Sequence, residues 1–544
     1  MTSSSSDRDR VSAEPPVGTA TGFWRLERPA GAARTWLFGP DGHAVFLLGV
    51  NTVMRGGRPD REPSCARIGE YIRRHDPTTA AHIEWARLSD GRSGGQAVPR
   101  PYGFNSVGAF SDRNDFDDSG GDSYMIRPTE RGGAGAPYTV VLNVGAGGND
   151  RALRNERGTI LEAGFSRSRV GDPFNPAFAA DLDATIEREV AARRTDPQLQ
   201  MWFADNEIGM FDVGAKKGGV RDFRRWIWSS VPAGSSIERP RCARHALAAF
   251  LRELYDGSID TLNRAWNSAY PDFSTIVERG PRPVPGVHDC NRRCGADLQR
   301  FVHDRLLGEW VRVVTRRIRA ADPNHLIGSP RLAIANPDMY RFWNAAGGRK
   351  HDHWTDAPAD PIGKDTELVR YSPFDLLGRD GDTGFDLIAI NAYTKEPRFP
   401  RPWFTDGLHK LQQESGLPVL ISEFGIRTKI DGWTNRGGAG AWVPSRDPIA
   451  AQRQRGQRYE LQIEQFISFR HVVGAVWHAW SDRYKPKKDP DHPKDPVKQI
   501  NLGLVQCADA KRGMSAGDRW NPLDELVANT NRTIIQRVAN KTGL

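Results

Sequence analysis

The chain has 544 residues, 38% of them hydrophobic and 9% aromatic, which is enough apolar material for one large barrel or two to three ordinary domains and excludes a disordered polypeptide. The net charge of +9 is spread over interspersed Arg, Lys, Asp and Glu, and its longest basic cluster is "KPKK" at 485–488, too short for a nucleic-acid footprint; a solvated Arg-rich surface is the main reading and an acidic substrate the lesser one. Five scattered cysteines (Cys65, Cys242, Cys290, Cys294, Cys507) argue against a disulfide framework, and with no apolar leader and no 18-residue apolar run the expectation is a cytoplasmic protein without membrane partners.

Residues 1–21 offer almost nothing to bury and read as a disordered tail. Order begins at "GFWRLERP", where two short aromatic-rich strands flank a turn. "PDG" then leads into the apolar run Ala44 to Val50, a hairpin feeding a buried strand. From there one theme repeats: a short apolar strand ending in polar residues, a long Gly/Pro-rich loop, an amphipathic helix, and the next strand. The strand candidates are 43–51, 104–110, 138–145, 199–207, 325–331, 386–393, 418–425 and 472–480. Helical spacing is clearest over 296–320, where Leu298, Val302, Leu306, Trp310 and Val314 recur at i+4, and over 450–469, with Tyr459, Ile463 and Phe466 on one face. Eight buried strands alternating with helices predict an α/β fold of the (β/α)8 TIM-barrel type, with long βα-loop insertions and the N-terminal β-hairpin. A doubly wound open sheet is the competing arrangement. The expected organisation is a tail over 1–21, the barrel with its hairpin over 22–483, and a loop and helix packed on the barrel over 484–544.

In such a barrel the working residues stand at the C-terminal ends of the strands. Two otherwise apolar strands end in carboxylates: the fourth, in "MWFADNEIGM", at Glu207, and the seventh, in "VLISEFG", at Glu423. By the period of two, Val419, Ile421 and Glu423 share one face, read as an inward row that carries the acid into the mouth. The same period puts Asn206 and Glu207 on opposite faces, so a bulge or strand end is expected there. Two carboxylates roughly 5–5.5 Å apart can run a retaining double displacement on a glycoside. Glu423 is then the nucleophile and Glu207 the acid/base. Asn206 is a candidate for the sugar 2-hydroxyl, and Tyr393 for orienting Glu423. Asn51 and Arg331, at the ends of the first and fifth strands, are candidate substrate contacts. Trp477 and Trp480 could floor a sugar ring or simply pack the core, and Trp433 and Trp442 are loop platforms or lid packing. Each glutamate by itself could instead be half of a buried ion pair.

Other signals are weaker. "GAGGND" at 145–150 lacks dinucleotide-binding spacing, and no nucleophile elbow, P-loop or HExxH occurs, so no cofactor is expected. His288, Cys290 and Cys294 in "HDCNRRC" could take zinc, but no fourth ligand follows, and a solvated loop is the default reading.

Over roughly residues 22–483 the chain resembles the agarases of glycoside hydrolase family 50, in the retaining clan A of (β/α)8 glycosidases. The likeness lies in "WLFGPDGHAVFLLGVN", "GFNSVGAFSD", "WFADNEIGM", "ADPNHLIGSPRLA", "ISEFGIR" and "RYELQIEQFISFRHVVGAVWHAWSD". The stretch "LNRAWNSAYPDF" is similar, more distantly, to the β-galactosidases of family 42. The resemblance implies Glu207 as acid/base after Asn206, Glu423 as nucleophile, Tyr393 on strand six and Trp477 on strand eight. Two features depart from it: family 50 agarases usually carry a large N-terminal carbohydrate-binding-like domain, and "VWHAWSD" replaces their more aromatic strand-eight ending. The expected activity is hydrolysis of β-linked, galactose-containing oligo- or polysaccharides. Another β-glycosidase of the clan, acting on β-galactosides outside agar or on mannans, and a non-catalytic carbohydrate-binding barrel are the alternatives.

Overall fold

The computed structural model describes residues 16–52, 102–111, 137–144, 171–208, 242–279, 300–334, 374–394, 396–399, 403–428, 441–443, 447–480, 482–485, 498–504 and 522–542, with a few isolated residues between them. Its centre is a parallel sheet: β1 (Leu47–Val50), β2 (Ser106–Val107), β3 (Tyr138–Val141), β4 (Leu199–Phe203), β5 (Leu326–Gly328, resuming at Leu332–Ile334), β6 (Ile388–Ala392), β7 (Val419–Phe424) and β8 (Val472–Trp477). Each strand pairs with the next, and β8 pairs with β1 through Gly474↔Leu47 to Trp477↔Val50. The β5–β6 seam is closed by the bridge Gly328↔Leu387 and by the second piece of β5, whose Leu332 opposes Ile390. This is a (β/α)8 barrel, as the alternation of strands and helices predicts.

β5 breaks at Ser329-Pro330-Arg331 because proline has no N–H to give the ladder. Ser329 fills the gap: its backbone N–H donates to Leu387 O (3.0 Å), and its Oγ accepts from Ala389 N–H (3.0 Å).

The apolar residues divide into two layers. Leu47, Val141, Met201, Phe203, Leu326, Leu387, Ala389, Leu420, Val473 and Val476 form the barrel interior. The alternate positions, among them Val419, Ile421, Val472 and Trp477, join side chains from the surrounding helices. Those helices include α1 (Pro176–Glu189), α2 (Ala243–Leu254), α3 (Ile259–Trp266), α4 (Phe273–Arg279), α5 (Gly308–Ala321), α6 (Trp403–Ser415), α7 (Pro448–Ser468) and α8 (Leu523–Thr542). The predicted helix faces are buried: Leu306, Trp310 and Val314 on one, Tyr459, Ile463 and Phe466 on the other. Phe301–Leu307 is wound as a π-helix before α5.

The N-terminal strands Arg25–Glu27, Trp36–Phe38 and Ala44–Val45 form an antiparallel sheet. Trp24 and Leu37 reach from it into the interior cluster, so the hairpin plugs the N-terminal end of the barrel. The apolar run from Ala44 is therefore shared, its first residues with the hairpin and Leu47–Val50 with the barrel. α8 lies on α7, where Tyr459 donates to Asn531 (2.6 Å) and Arg537 pairs with Glu460 and Glu464. Among the described residues no helix is long and apolar enough to cross a membrane.

Candidate active site

β4 ends at Phe203, and the chain then leaves ladder geometry under control of Arg331. Arg331 N–H donates to Asp205 O and Glu207 N–H donates to Arg331 O, both at 2.9 Å, while Asn206 bridges Arg331 in parallel. Glu207 itself has φ +53°, in the left-handed region that a residue with a Cβ seldom occupies. That turn reorients the acid at the end of the strand, where period two could not. Its Oε1 accepts from Asn391 Nδ2 (3.0 Å), and the same amide reaches Asn206 Oδ1 (3.2 Å).

Glu423 reaches the site by a different device. Val419 and Ile421 face the helices and Leu420 faces the barrel interior, so the expected inward row of Val419, Ile421 and Glu423 is incorrect. The register slips instead: Ile390 opposes Ile421 but Asn391 opposes Glu423, and on the other side Ile421 opposes Ala475 while Phe424 opposes Trp477. One extra residue in β7 makes a bulge, and the bulge turns Glu423 from its parity. Ser422 is pinned there, its Oγ donating to Asn391 Oδ1 (2.9 Å) and its carbonyl accepting from Asn51 Nδ2 (3.0 Å) and Arg331 Nη2 (2.9 Å).

Donors converge on the Glu423 carboxylate. Arg331 Nη2 lies 2.9 Å from Oε2, the Tyr393 hydroxyl donates to Oε1, and His478 Nδ1 stands 3.4 Å from Oε1. Burial and the two nearby glutamates, Glu423 more than Glu207, hold the Tyr393 phenol well above its ordinary pKa, so it stays protonated and donates. Both carboxylates are thus within electrostatic reach of one phenol just past the end of β6, and each keeps about 8% exposure. Arg331 is fully buried, its guanidinium 5.1 Å from the Phe110 ring centre and 5.9 Å from that of Phe203.

No protein-family model matches the chain, and no curated protein does. Solved structures match it along nearly its whole length. An agarase, AgWH50C, superposes with a TM-score of 0.56 at 17% identity, over 96% of this chain and 67% of that one. An exo-beta-agarase gives 0.57 at 16% identity, over 96% and 66%, and PfGH50B gives 0.58 at 15%, over 96% and 68%. The fold is one shared with agarases. The chain spans about two thirds of the length of each of these proteins.

Of the residues singled out in the sequence, Glu207, Glu423, Asn206 and Tyr393 come together in this cluster, and Asn51 and Arg331 lie beneath it. Asn51 and Arg331 are fully buried, so the expectation that they touch substrate is corrected: they hold the β7 bulge, and Arg331 also holds Glu423. Trp477 is corrected as well. Its indole is 0% exposed and meets Phe424 and Tyr459 edge-on, at 5.5 and 5.4 Å, on the helix side of the barrel. Trp480 is buried edge-on against Tyr102 at 5.9 Å. Both are core packing and leave no ring face for a sugar. Trp433 lies outside the described residues, as do His288 and Cys290. Cys294 is buried and disulfide-bonded, which removes its thiolate from a zinc set and departs from the expected solvated loop.

Sequence reasoning missed Ser422 and gave no role to Asn391 or His478, although both stand at strand ends. His478 sits between the two tryptophans of "VWHAWSD", and its polarity at the end of an apolar strand was the available signal. A cis peptide joins it to Ala479, and its N–H donates to Phe424 O at 2.8 Å.

Proposed function

We propose that the chain is a retaining glycoside hydrolase in which Glu423 is the nucleophile and Glu207 the acid/base, acting on β-linked, galactose-containing oligosaccharides. The observation that carries this reading is the asymmetric pair at the barrel mouth. Arg331, Tyr393 and His478 surround Glu423, whereas Asn391 donates to Glu207. A carboxylate steadied by a guanidinium and a phenol is oriented to attack an anomeric carbon. A carboxyl group held by an amide can lend a proton and take it back.

In the first step an Oε atom of Glu423 bonds to the anomeric carbon while the glycosidic oxygen leaves with the proton of Glu207. In the second, Glu207 takes a proton from water, whose oxygen displaces Glu423 from the same carbon and restores both groups. In this reading Asn206, part-exposed beside Glu207, meets the sugar 2-hydroxyl. The galactose preference rests on the agarases whose fold the chain shares.

A reducing-sugar screen over galactan, galactoside and mannan oligosaccharides, with wild type, Glu207→Gly and Glu423→Gly, tests both levels. On an activated β-glycoside with azide, Glu207→Gly should give a glycosyl azide of retained configuration. Glu423→Gly should give the opposite anomer. Equal products from the two variants would overturn the assignment of roles, and cleavage of mannans alone would overturn the galactose preference.

A further inference from the structure

At the opposite end of the barrel lies a cavity of about 370 Å³, within the ~300–1,000 Å³ range of small-molecule clefts. It opens beneath the N-terminal ends of β5, β6 and β7, at Leu326, Asp386 and Pro418. Its other wall is the Arg25–Glu27 strand, the edge of the N-terminal sheet.

Four arginines line it, Arg25, Arg28, Arg319 and Arg379, against two carboxylates, Glu27 and Asp386. Glu27 pairs with Arg25 at 3.2 Å. Asp386 is shared, 3.0 Å from Arg319 Nη2 and 3.1 Å from Arg379 Nη1, and it also accepts from Ile327 N–H. One carboxylate therefore faces two guanidiniums. Arg28 donates through Nε to Ala32 O (3.0 Å), a neutral carbonyl. Two positive charges are left over in the cavity wall. His325, also in the wall, is already engaged by Asp322 and by Asp196 O.

We propose that this cavity binds a tetrahedral oxyanion, phosphate or sulfate, carried on a small molecule. Arginines from three elements, the N-terminal sheet, α5 and the loop before β6, suit an anion with acceptors on several sides. Leu26, Leu417 and Pro418 give the remaining body of the ligand an apolar surface.

The test is calorimetric titration of the full chain with sodium phosphate and with sodium sulfate, at constant ionic strength set by chloride. At least one anion should bind saturably. Arg28→Ala and Arg379→Ala should each weaken it about tenfold, the loss expected for one charged hydrogen bond. Arg379→Ala also strips a partner from Asp386; if that variant unfolds, Arg28→Ala, whose Nε meets only a carbonyl, carries the test. Phosphate binding that strengthens from pH 6 to pH 8, with sulfate silent, assigns the site to a phosphoryl group. Sulfate binding independent of pH assigns it to a sulfate ester. Heats equal to those of chloride, or affinity unchanged in a folded Arg28→Ala variant, overturn the proposal. None of these readings depends on the barrel being a glycosidase.

Discussion

Tyr393 and Arg331 both contact Glu423, yet they should fail in different ways when altered. Tyr393→Phe removes one hydroxyl from a part-exposed ring and leaves the packing in place. In the proposed reaction it should lower kcat about 100-fold with little change in KM, the loss typical of one oriented donor, and the melting temperature should stay within error of wild type. Arg331→Met removes the buried cation that meets both Glu423 and Ser422 O. It should cost about 3 kcal/mol of stability in urea titration besides abolishing activity, because a buried carboxylate loses its counter-charge. An Arg331→Met protein as stable as wild type would show that Glu423 is not dependent on that ion pair. Which residues end the strands was legible in the sequence, since a polar residue closing an apolar run stands out. Which of them open onto the barrel mouth was not, because Trp477 takes the helix side of the wall while Asn51 and Arg331 take the inner side and are sealed beneath the cluster. The facing of Glu207 and Glu423 is set by a left-handed residue and by a bulge, neither of which alters the polarity pattern.

The same point holds for whole elements. β7 reads as an unbroken alternation, and nothing in "VLISEFG" marks Ser422 as the extra residue; the slip is visible only against β6 and β8. The break in β5 did carry a sign, Pro330, but the serine that repairs it did not. α7 contains a glycine whose reason lies in another element. A Cβ at Gly456 would stand 2.6 Å from Leu526 Cβ and 2.5 Å from its Cδ1, so α8 lies directly on this position. Alanine is the better helix former by about 1 kcal/mol, and a surface glycine would be improved by it. Here the steric term should win, since Leu526 Cβ cannot swing away and α8 must shift. Gly456→Ala should therefore destabilise the protein by about 1–3 kcal/mol, the usual cost of overpacking. A rise in melting temperature would mean that α8 is not seated on α7 in solution.

At the scale of the whole molecule the barrel was legible because eight apolar strands alternating with helices admit few closures, and its hairpin because "PDG" marks a turn. The closed N-terminal end was not, since Trp24 and Leu37 look like ordinary hairpin residues until the interior they fill is known. Burial of this kind also traps titratable groups, and two of them should act in opposite directions on acid stability. Burial pushes Asp172 up to about 6, against the pull of the Ala243 and Phe174 N–H groups. Burial, with His409 and Arg34 nearby, pushes His471 down to about 4. Between about pH 4 and 6 the folded Asp172 holds a proton that the unfolded chain has lost, so its contribution to stability falls as pH rises through that window. Between about pH 4 and 6.5 the unfolded His471 holds a proton that the folded chain lacks. Its contribution is complete above pH 6.5 and is lost as pH falls. Measured by urea titration, the stability of wild type relative to Asp172→Asn should increase as pH is lowered from 6 to 4. Relative to His471→Gln it should decrease over 6.5 to 4, each slope reaching at most about 1.4 kcal/mol per pH unit. Each comparison cancels the titration that the two proteins have in common, so slopes of the same sign would show that at least one of these groups is solvated in the folded protein.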